Sequence, residues 1–252
     1  MKNFNAYSRY YDLLYKDKEY QQESQYVANQ LKTHFPKAKT ILELGSGSGS
    51  HANYLCKDGF SVFGIERSSE MVEEAKKKKI ENFEVSLGDI CDYNLNKKFD
   101  AAISLFHVIS YLSDNKSLIS CFKATNQHLV DGGVFLFDVW YTPAVYSLKP
   151  ETRIKRLEDN ELNIIRIAQS DIDFQRNIVN VNYEVMITNK SDNKTTVLNE
   201  KHPMRHFSIP EIELLAQITG FEVLKAEEFL SGNTPDDKTW GVCFILKKKS
   251  HA

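Results

Sequence analysis

Thr40-Ile-Leu-Glu-Leu-Gly-Ser-Gly-Ser-Gly-Ser-His51 decides the fold of this 252-residue chain. A short apolar run ends in an acidic residue, three glycines alternate with serines, and a segment compatible with a helix follows. Glycine at 45, 47 and 49 removes side chains where the backbone turns tightly and lets a ligand approach closely. A glycine loop between a strand and a helix start presents free N–H groups to a polar ligand. Glu43, just ahead of the first glycine, adds selection, because a carboxylate there repels a pyrophosphate and accepts hydrogen bonds from an ammonium group. The loop therefore favours a cationic adenosyl cofactor over a dinucleotide.

Those residues alone leave the dinucleotide open. From Gly47 the chain reads Gly-Ser-Gly-Ser-His-Ala52, which satisfies the G-x-G-x-x-G/A pattern. Glu66 closes the next apolar run, Ser61 to Glu66, where either cofactor type needs a carboxylate for its ribose hydroxyls. A third run, Phe83 to Ile90, ends in Gly88-Asp89-Ile90. Asp89 suits the exocyclic amine of adenine, and Ile90 suits the ring face. A fourth run, Phe99 to Leu105, leads into the polar-aromatic loop Phe106-His-Val-Ile-Ser-Tyr111.

In order, the chain shows Glu43-Leu-Gly-Ser-Gly-Ser-Gly49, Gly64-Ile-Glu-Arg-Ser-Ser-Glu-Met71, Gly88-Asp-Ile90 and Asp131-Gly-Gly-Val-Phe-Leu-Phe-Asp138. In this it resembles the class I S-adenosylmethionine-dependent methyltransferases. The resemblance implies an α/β Rossmann-like fold with a doubly wound, mostly parallel seven-stranded sheet, and S-adenosyl-L-methionine as cofactor. The implied cofactor contacts are Glu43, Gly45, Ser46, Gly47, Glu66, Arg67, Met71, Asp89, Ile90 and Leu105.

Composition narrows the partners. With 32 basic and 34 acidic residues the net charge is −2, which gives no electrostatic case for nucleic acid. The basic run Lys76 to Lys79 reads as a solvated helix end. The 42% hydrophobic content supports a folded core. Cys56, Cys91, Cys121 and Cys243 are widely spaced, with no C-x-x-C pair or matching histidines, so no metal site is expected. They read as reduced thiols. The N-terminus lacks an apolar signal core, and no stretch approaches the roughly 20 apolar residues of a spanning helix. A soluble cytoplasmic protein without membrane contact is expected.

Periodicity orders the elements. Residues 1–18 are aromatic-rich, with Tyr7, Tyr10, Tyr11 and Tyr15, and Tyr20 to His34 reads as a helix; together residues 1–38 form an N-terminal lid and helix. From 40 to 139 strands and helices alternate, which argues for a parallel, doubly wound sheet. Helices are expected near 50–58, 69–79 and 114–130, the last stopped by Asp131-Gly-Gly133 ahead of a fifth strand, Val134 to Asp138. Between 151 and 207 the period changes to two. Val179, Val181, Tyr183, Val185 and Ile187 alternate with polar neighbours, a run from Leu162 to Ile167 partners them, and Asn189 to Asn193 is a hairpin tip. A strand near 195–207 sets Glu200, His202, Met204 and His206 on one face. This inserted antiparallel β cap is expected to bind the acceptor within a single domain. Pro210 to Thr219 returns to helix, and 221–229 with 240–246 completes the sheet as a reversed pair.

Methyl transfer from a sulfonium is an in-line displacement that needs alignment, a dry site and a group to receive a proton. Acceptors meet such cofactors at the carboxyl ends of the central strands. That places His107 and Tyr111 beside the reaction, the histidine as a base and the tyrosine as a base or orienter. Trp140 and Tyr141, after strand five, and His202 and His206, on the inserted sheet, are candidate acceptor contacts; packing roles fit them as well.

Over almost its full length the chain is similar to the sugar N-methyltransferases that dimethylate nucleotide-linked 3-amino-deoxysugars. Tyr10-Tyr-Asp-Leu-Leu-Tyr15 and Lys16-Asp-Lys-Glu-Tyr20 resemble their N-terminal segment, which implies Tyr11 and Tyr20 as cofactor contacts. Phe106-His-Val-Ile-Ser-Tyr-Leu112 stands where they carry Phe-Ser-Ser-x-Gly-His/Tyr-Leu, which implies Tyr111 nearest the acceptor amine. Val139-Trp-Tyr-Thr-Pro143 stands for their Trp-Trp-Phe-Pro, and Glu200-Lys-His-Pro-Met-Arg-His206 echoes their insertion strand. His107 and Ser110 depart from the pattern, and the loop also resembles relatives in surface-polysaccharide biosynthesis. The accepting atom, nitrogen or oxygen, therefore stays open. The expected partner is a nucleotide-linked sugar or glycan precursor, with a non-sugar acceptor or an NAD(P)-dependent oxidoreductase as alternatives and room for a homodimer.

Overall fold

The computed structural model describes Leu14 and residues 18–250. The chain separates into two compact units, Tyr20–Leu148 with Arg205–Ala252, and Met1–Glu19 with Lys149–Met204.

In the first unit α1 (Tyr20–His34) precedes β1 (Thr40–Leu44), α2 (Ser50–Lys57), β2 (Ser61–Glu66), α3 (Ser69–Lys77), β3 (Phe83–Leu87) and β4 (Phe99–Ser104). A 3-10 turn (Val108–Tyr111), α4 (Asn115–His128), β5 (Leu129–Tyr141) and α5 (Thr142–Leu148) follow. The insertion carries β6 (Arg153–Glu158), β7 (Leu162–Asp173), β8 (Ile178–Asn189) and β9 (Thr195–Phe207). The chain returns through α6 (Ile209–Ile218), β10 (Phe221–Glu228) and β11 (Gly241–Lys248).

Strands β3-β2-β1-β4-β5 are parallel, and β11 and then β10 join β5 antiparallel. This is the expected doubly wound sheet of seven strands. Its central strands are apolar on both faces, as a sheet covered by helices on each side requires. Leu42, Leu44, Phe135, Phe137 and Phe244 enter one layer with Phe122 of α4 and Ile212 of α6. Ile41, Ile103, Leu136 and Ile245 enter the other, with Val27 and Leu31 of α1 and Leu55 of α2. By the same alternation Glu43, between Leu42 and Leu44, turns toward the α1 and α2 side.

One boundary differs from expectation. Asp131-Gly-Gly133 does not stop a helix; α4 ends at His128 and β5 begins at Leu129. The His128 ring closes the helix, with Nδ1 bonded to the Ala124 carbonyl at 2.7 Å and Nε2 accepting the Leu95 N–H at 2.8 Å. The glycines form a bulge, where pairing with β4 jumps from Phe99↔Leu129 to Ala101↔Val134 and Gly132 adopts φ +75°.

In the second unit β6 pairs antiparallel with β7, and β7 with β8, around Leu14, Leu162, Ile164, Val185 and Ile187. Strand β6 was not expected. Its Arg-Ile-Lys-Arg-Leu-Glu sequence places charges along an edge, a device that protects edges and blurs the strand pattern. No helix among the described residues is long and apolar enough to cross a membrane.

Candidate active site

The glycine loop is built by three left-handed glycines, Gly45, Gly47 and Gly49, with φ of +72°, +54° and +74°. Packing fixes the outer two: a Cβ at Gly45 would stand 2.7 Å from the Val108 side chain, and one at Gly49 2.6 Å from Phe83. At Gly47 a Cβ would meet nothing within 4 Å among the described residues, so this is the turn of the loop that a ligand can approach. Glu66, closing β2, holds the loop in place. Its Oε2 accepts the Gly47 N–H at 2.9 Å and its Oε1 accepts the Ser68 N–H at 2.8 Å. A carboxylate has about four acceptor sites, so capacity remains for hydroxyls.

Glu43 is the electrostatic centre. It is 2% exposed, and its Oε2 makes no hydrogen bond. Burial, reinforced by the charge of Glu66, pushes its pKa up to about 8. A buried acceptor without a donor costs about 1–3 kcal/mol, so it marks a place where a donor belongs. The buried Ser46 hydroxyl is likewise unbonded. On the other side of Glu43, Oε1 lies 3.8 Å from Nδ1 of His51, whose Nε2 lies 2.7 Å from Glu23 of α1. Tyr20 packs edge-on against His51, ring centres 5.0 Å apart. The sequence reading missed both His51 and Glu23. Tyr11 lies outside the described residues.

Of the remaining cofactor candidates, Arg67 and Asp89 are exposed and Met71 and Ile90 half-buried. Asp89 accepts the Cys91 N–H at 2.8 Å. The Met71 N–H bonds to the capping Ser68 hydroxyl at 3.2 Å. Leu105 is buried, packed in the layer of α1 and α2.

After β4 the chain turns through two consecutive left-handed residues, Phe106 (φ +65°) and His107 (φ +59°). Such backbone costs on the order of 1–2 kcal/mol per residue, and it persists only where contacts hold it. Asp138 supplies them. This buried β5 carboxylate accepts the His107 N–H at 3.2 Å and sets Oδ2 2.7 Å from Nδ1, an ion-pair contact rather than an aligned hydrogen bond. The ring also packs on Trp140, centroids 6.0 Å apart. His107 precedes the 3-10 turn that ends in half-exposed Tyr111, so the two expected catalytic candidates share one turn.

Residues 41–133 match the family described as a methyltransferase domain. The chain is 29% identical over 139 residues to dTDP-3-amino-3,4,6-trideoxy-alpha-D-glucopyranose N,N-dimethyltransferase of Streptomyces venezuelae, a match covering 54% of this chain and 58% of that protein. It is 25% identical to dTDP-3-amino-3,6-dideoxy-alpha-D-glucopyranose N,N-dimethyltransferase of Streptomyces fradiae, covering 88% and 84%. The match thus spans little more than half the length of the first relative. Among solved structures, a sugar N-methyltransferase from Streptoalloteichus superimposes with TM-score 0.82 at 21% identity, covering 95% and 93% of the two chains. An S-adenosylmethionine-dependent methyltransferase from Clostridium acetobutylicum superimposes with TM-score 0.80 at 22% identity, covering 98% and 99%. These likenesses establish the Rossmann-like methyltransferase fold.

Beside the loop after β4, half-buried Trp140 stacks edge-on with Trp240, centroids 5.6 Å apart. Tyr141 packs in the layer of α4 and α6. Parallel pairing of Trp140 with His206 carries His206 to 0% exposure, with Nδ1 bonded to the Thr142 hydroxyl at 2.9 Å. Burial, with Arg205 adjacent, lowers its pKa to about 4, so the ring is neutral at pH 7. In the second unit His202 bonds to Glu200 at 3.0 Å and meets Tyr183 edge-on. Asp138, which holds the loop, had been read only as the end of a strand.

Proposed function

We propose that the chain is an S-adenosylmethionine-dependent methyltransferase that acts on the nitrogen or oxygen of a nucleotide-linked sugar or glycan precursor. The observation that carries this reading is the buried, unpartnered Glu43 oxygen ahead of the open turn at Gly47. A carboxylate without a donor suits an ammonium group and opposes a pyrophosphate, which sets aside the nicotinamide alternative. When bound, the cofactor supplies a methyl group activated by the sulfonium charge. Glu43 would receive its ammonium, the open turn at Gly47 would face it, and the spare acceptor sites of Glu66 would take ribose hydroxyls. Asp89 and Ile90 would hold the adenine.

His107 receives the proton that the attacking nitrogen or oxygen releases. With Nδ1 turned to Asp138, Nε2 is the basic atom, and the carboxylate stabilises the imidazolium that forms. Tyr111, on the same turn, orients the acceptor. The amino-sugar class rests on the Streptomyces relatives, whose names specify dTDP-3-amino sugars. Residues 151–207 bind the acceptor in this reading. Four free thiols suit a cytoplasmic enzyme.

Calorimetric titration with S-adenosylhomocysteine tests the cofactor, and binding is expected where NAD gives no heat. Mass measurement of dTDP-amino sugars and hydroxy-sugar nucleotides after incubation tests the acceptor. A gain of one or more methyl groups on an amino sugar supports the reading, and an unmodified panel rejects the sugar class.

A further inference from the structure

Glu43 does not stand alone in its layer. His51, the second residue of α2, places Nδ1 3.8 Å from Glu43 Oε1 and Nε2 2.7 Å from Glu23 Oε2. Both carboxylates are largely buried, with Glu43 side-chain exposure at 2% and Glu23 at 12%. A single imidazole therefore bridges the strand that leads into the glycine loop and the helix α1 that precedes it. Tyr20, at the start of α1, fixes the ring from its edge. Glu43 Oε2 makes no hydrogen bond among the described residues.

We propose that His51 is a positioning residue of the cofactor site: clamped by Glu23, it engages one oxygen of Glu43 and leaves the other to the cationic group of the ligand. This rests on the methyltransferase reading above. The chemistry explains why a histidine fits. One ring nitrogen faces Glu43 and the other faces Glu23, so a single imidazole meets both carboxyl groups at once. Burial and the like charge of Glu66 on β2 raise the Glu43 pKa to about 8. Glu43 also acts on Cys56 of α2, where burial is the main cause of a raised thiol pKa and the carboxylate adds to it. Glu23, Tyr20, Glu43, Glu66 and Cys56 are the titratable groups around the bridge among the described residues. The ligand's ammonium then meets a carboxyl group whose orientation is already set. Because α1 supplies Glu23, the bridge makes cofactor affinity depend on how that helix docks.

The test uses the full-length protein, S-adenosylhomocysteine as probe, and calorimetry from pH 6 to pH 9 in two buffers that differ in ionisation enthalpy, so that protons released on binding are counted. His51→Ala is expected to weaken binding about tenfold at pH 7 and to change the number of protons released on binding. His51→Gln, which keeps a donor at this position, recovers part of the affinity. Glu23→Gln, outside the loop, produces a smaller loss in the same direction and covers the case in which His51→Ala fails to fold. Variants that melt lower but bind with wild-type affinity and proton release would show a merely structural histidine and overturn the proposal alone. Absence of binding by the wild-type protein would overturn the methyltransferase reading and this one with it.

Discussion

Asp138 grips His107 at two points, accepting its backbone N–H on Oδ1 at 3.2 Å and meeting its Nδ1 with Oδ2 at 2.7 Å. One carboxylate thus stabilises a left-handed backbone and selects the nitrogen that faces away. Nothing local in the chain announces this, since the two residues are 31 positions apart. It is the pairing of β4 with β5 that brings the end of one strand beside the loop of the other.

If His107 is the base, His107→Ala lowers kcat by about 10²-fold with little change in the acceptor KM. Asp138→Asn produces a loss of similar size, because the amide no longer holds the ring or stabilises its charged form. The double variant is no slower than the worse single one, since both act through one ring. Steady-state kinetics on a methylated acceptor provides the check, and additive losses would separate the two residues.

The three glycines of the loop behave differently under substitution. Gly47→Ala meets no clash, so its cost is the left-handed backbone alone, about 1 kcal/mol, with a melting temperature close to wild type. Its methyl group projects into the open turn, so S-adenosylhomocysteine affinity falls by at least about tenfold. Gly49→Ala drives a methyl against Phe83 and destabilises the fold by roughly 1–3 kcal/mol beyond the backbone cost. Thermal melts beside calorimetry separate the two, and an equal effect of both substitutions on both measurements contradicts the assignment.

The parts legible in the sequence were those that short-range pattern encodes. Glycine spacing located the turn at Gly45–Gly49, apolar runs located the parallel strands, and the period of two located β7 and β8. Asp131-Gly-Gly133 was misread because paired glycines signal a helix stop and a strand bulge alike, and only the His128 ring decides between them. His206 shares its alternation with His202, yet nothing in that alternation tells that pairing with Trp140 buries it. The His51–Glu23 and His107–Asp138 contacts join residues 28 and 31 positions apart, and no local pattern specifies either.

Glu43 sets a pH dependence of stability. Its folded pKa of about 8 lies above the ordinary carboxylate range near 4, so the folded protein holds a proton that the unfolded chain has released. This contribution is fully present below the unfolded pKa and is lost as pH rises through about 8. Glu43→Gln therefore flattens the decline of melting temperature between about pH 6.5 and pH 8. The same variant loses S-adenosylhomocysteine binding, so stability and affinity move in opposite directions. A decline that persists unchanged in Glu43→Gln places the responsible proton elsewhere.

His206 acts at the acid end with the opposite sign. Burial between Thr142 and Tyr146, with Arg205 adjacent, lowers its folded pKa to about 4, below the ordinary histidine value near 6.5. The unfolded chain binds a proton first as pH falls. The stability that the neutral ring contributes is therefore complete above about pH 6.5 and is lost as pH falls through about 4. Between about pH 4 and pH 6.5 this rise runs against the fall set by Glu43, so the two slopes offset in the wild-type protein. His206→Gln keeps a partner for the Thr142 hydroxyl but cannot titrate, so its melting temperature falls from about pH 4 to pH 6.5, whereas that of Glu43→Gln rises over the same range. Melts of both variants across this range check this, and a rise in His206→Gln, or a fall in Glu43→Gln, would exchange the roles given to the two residues.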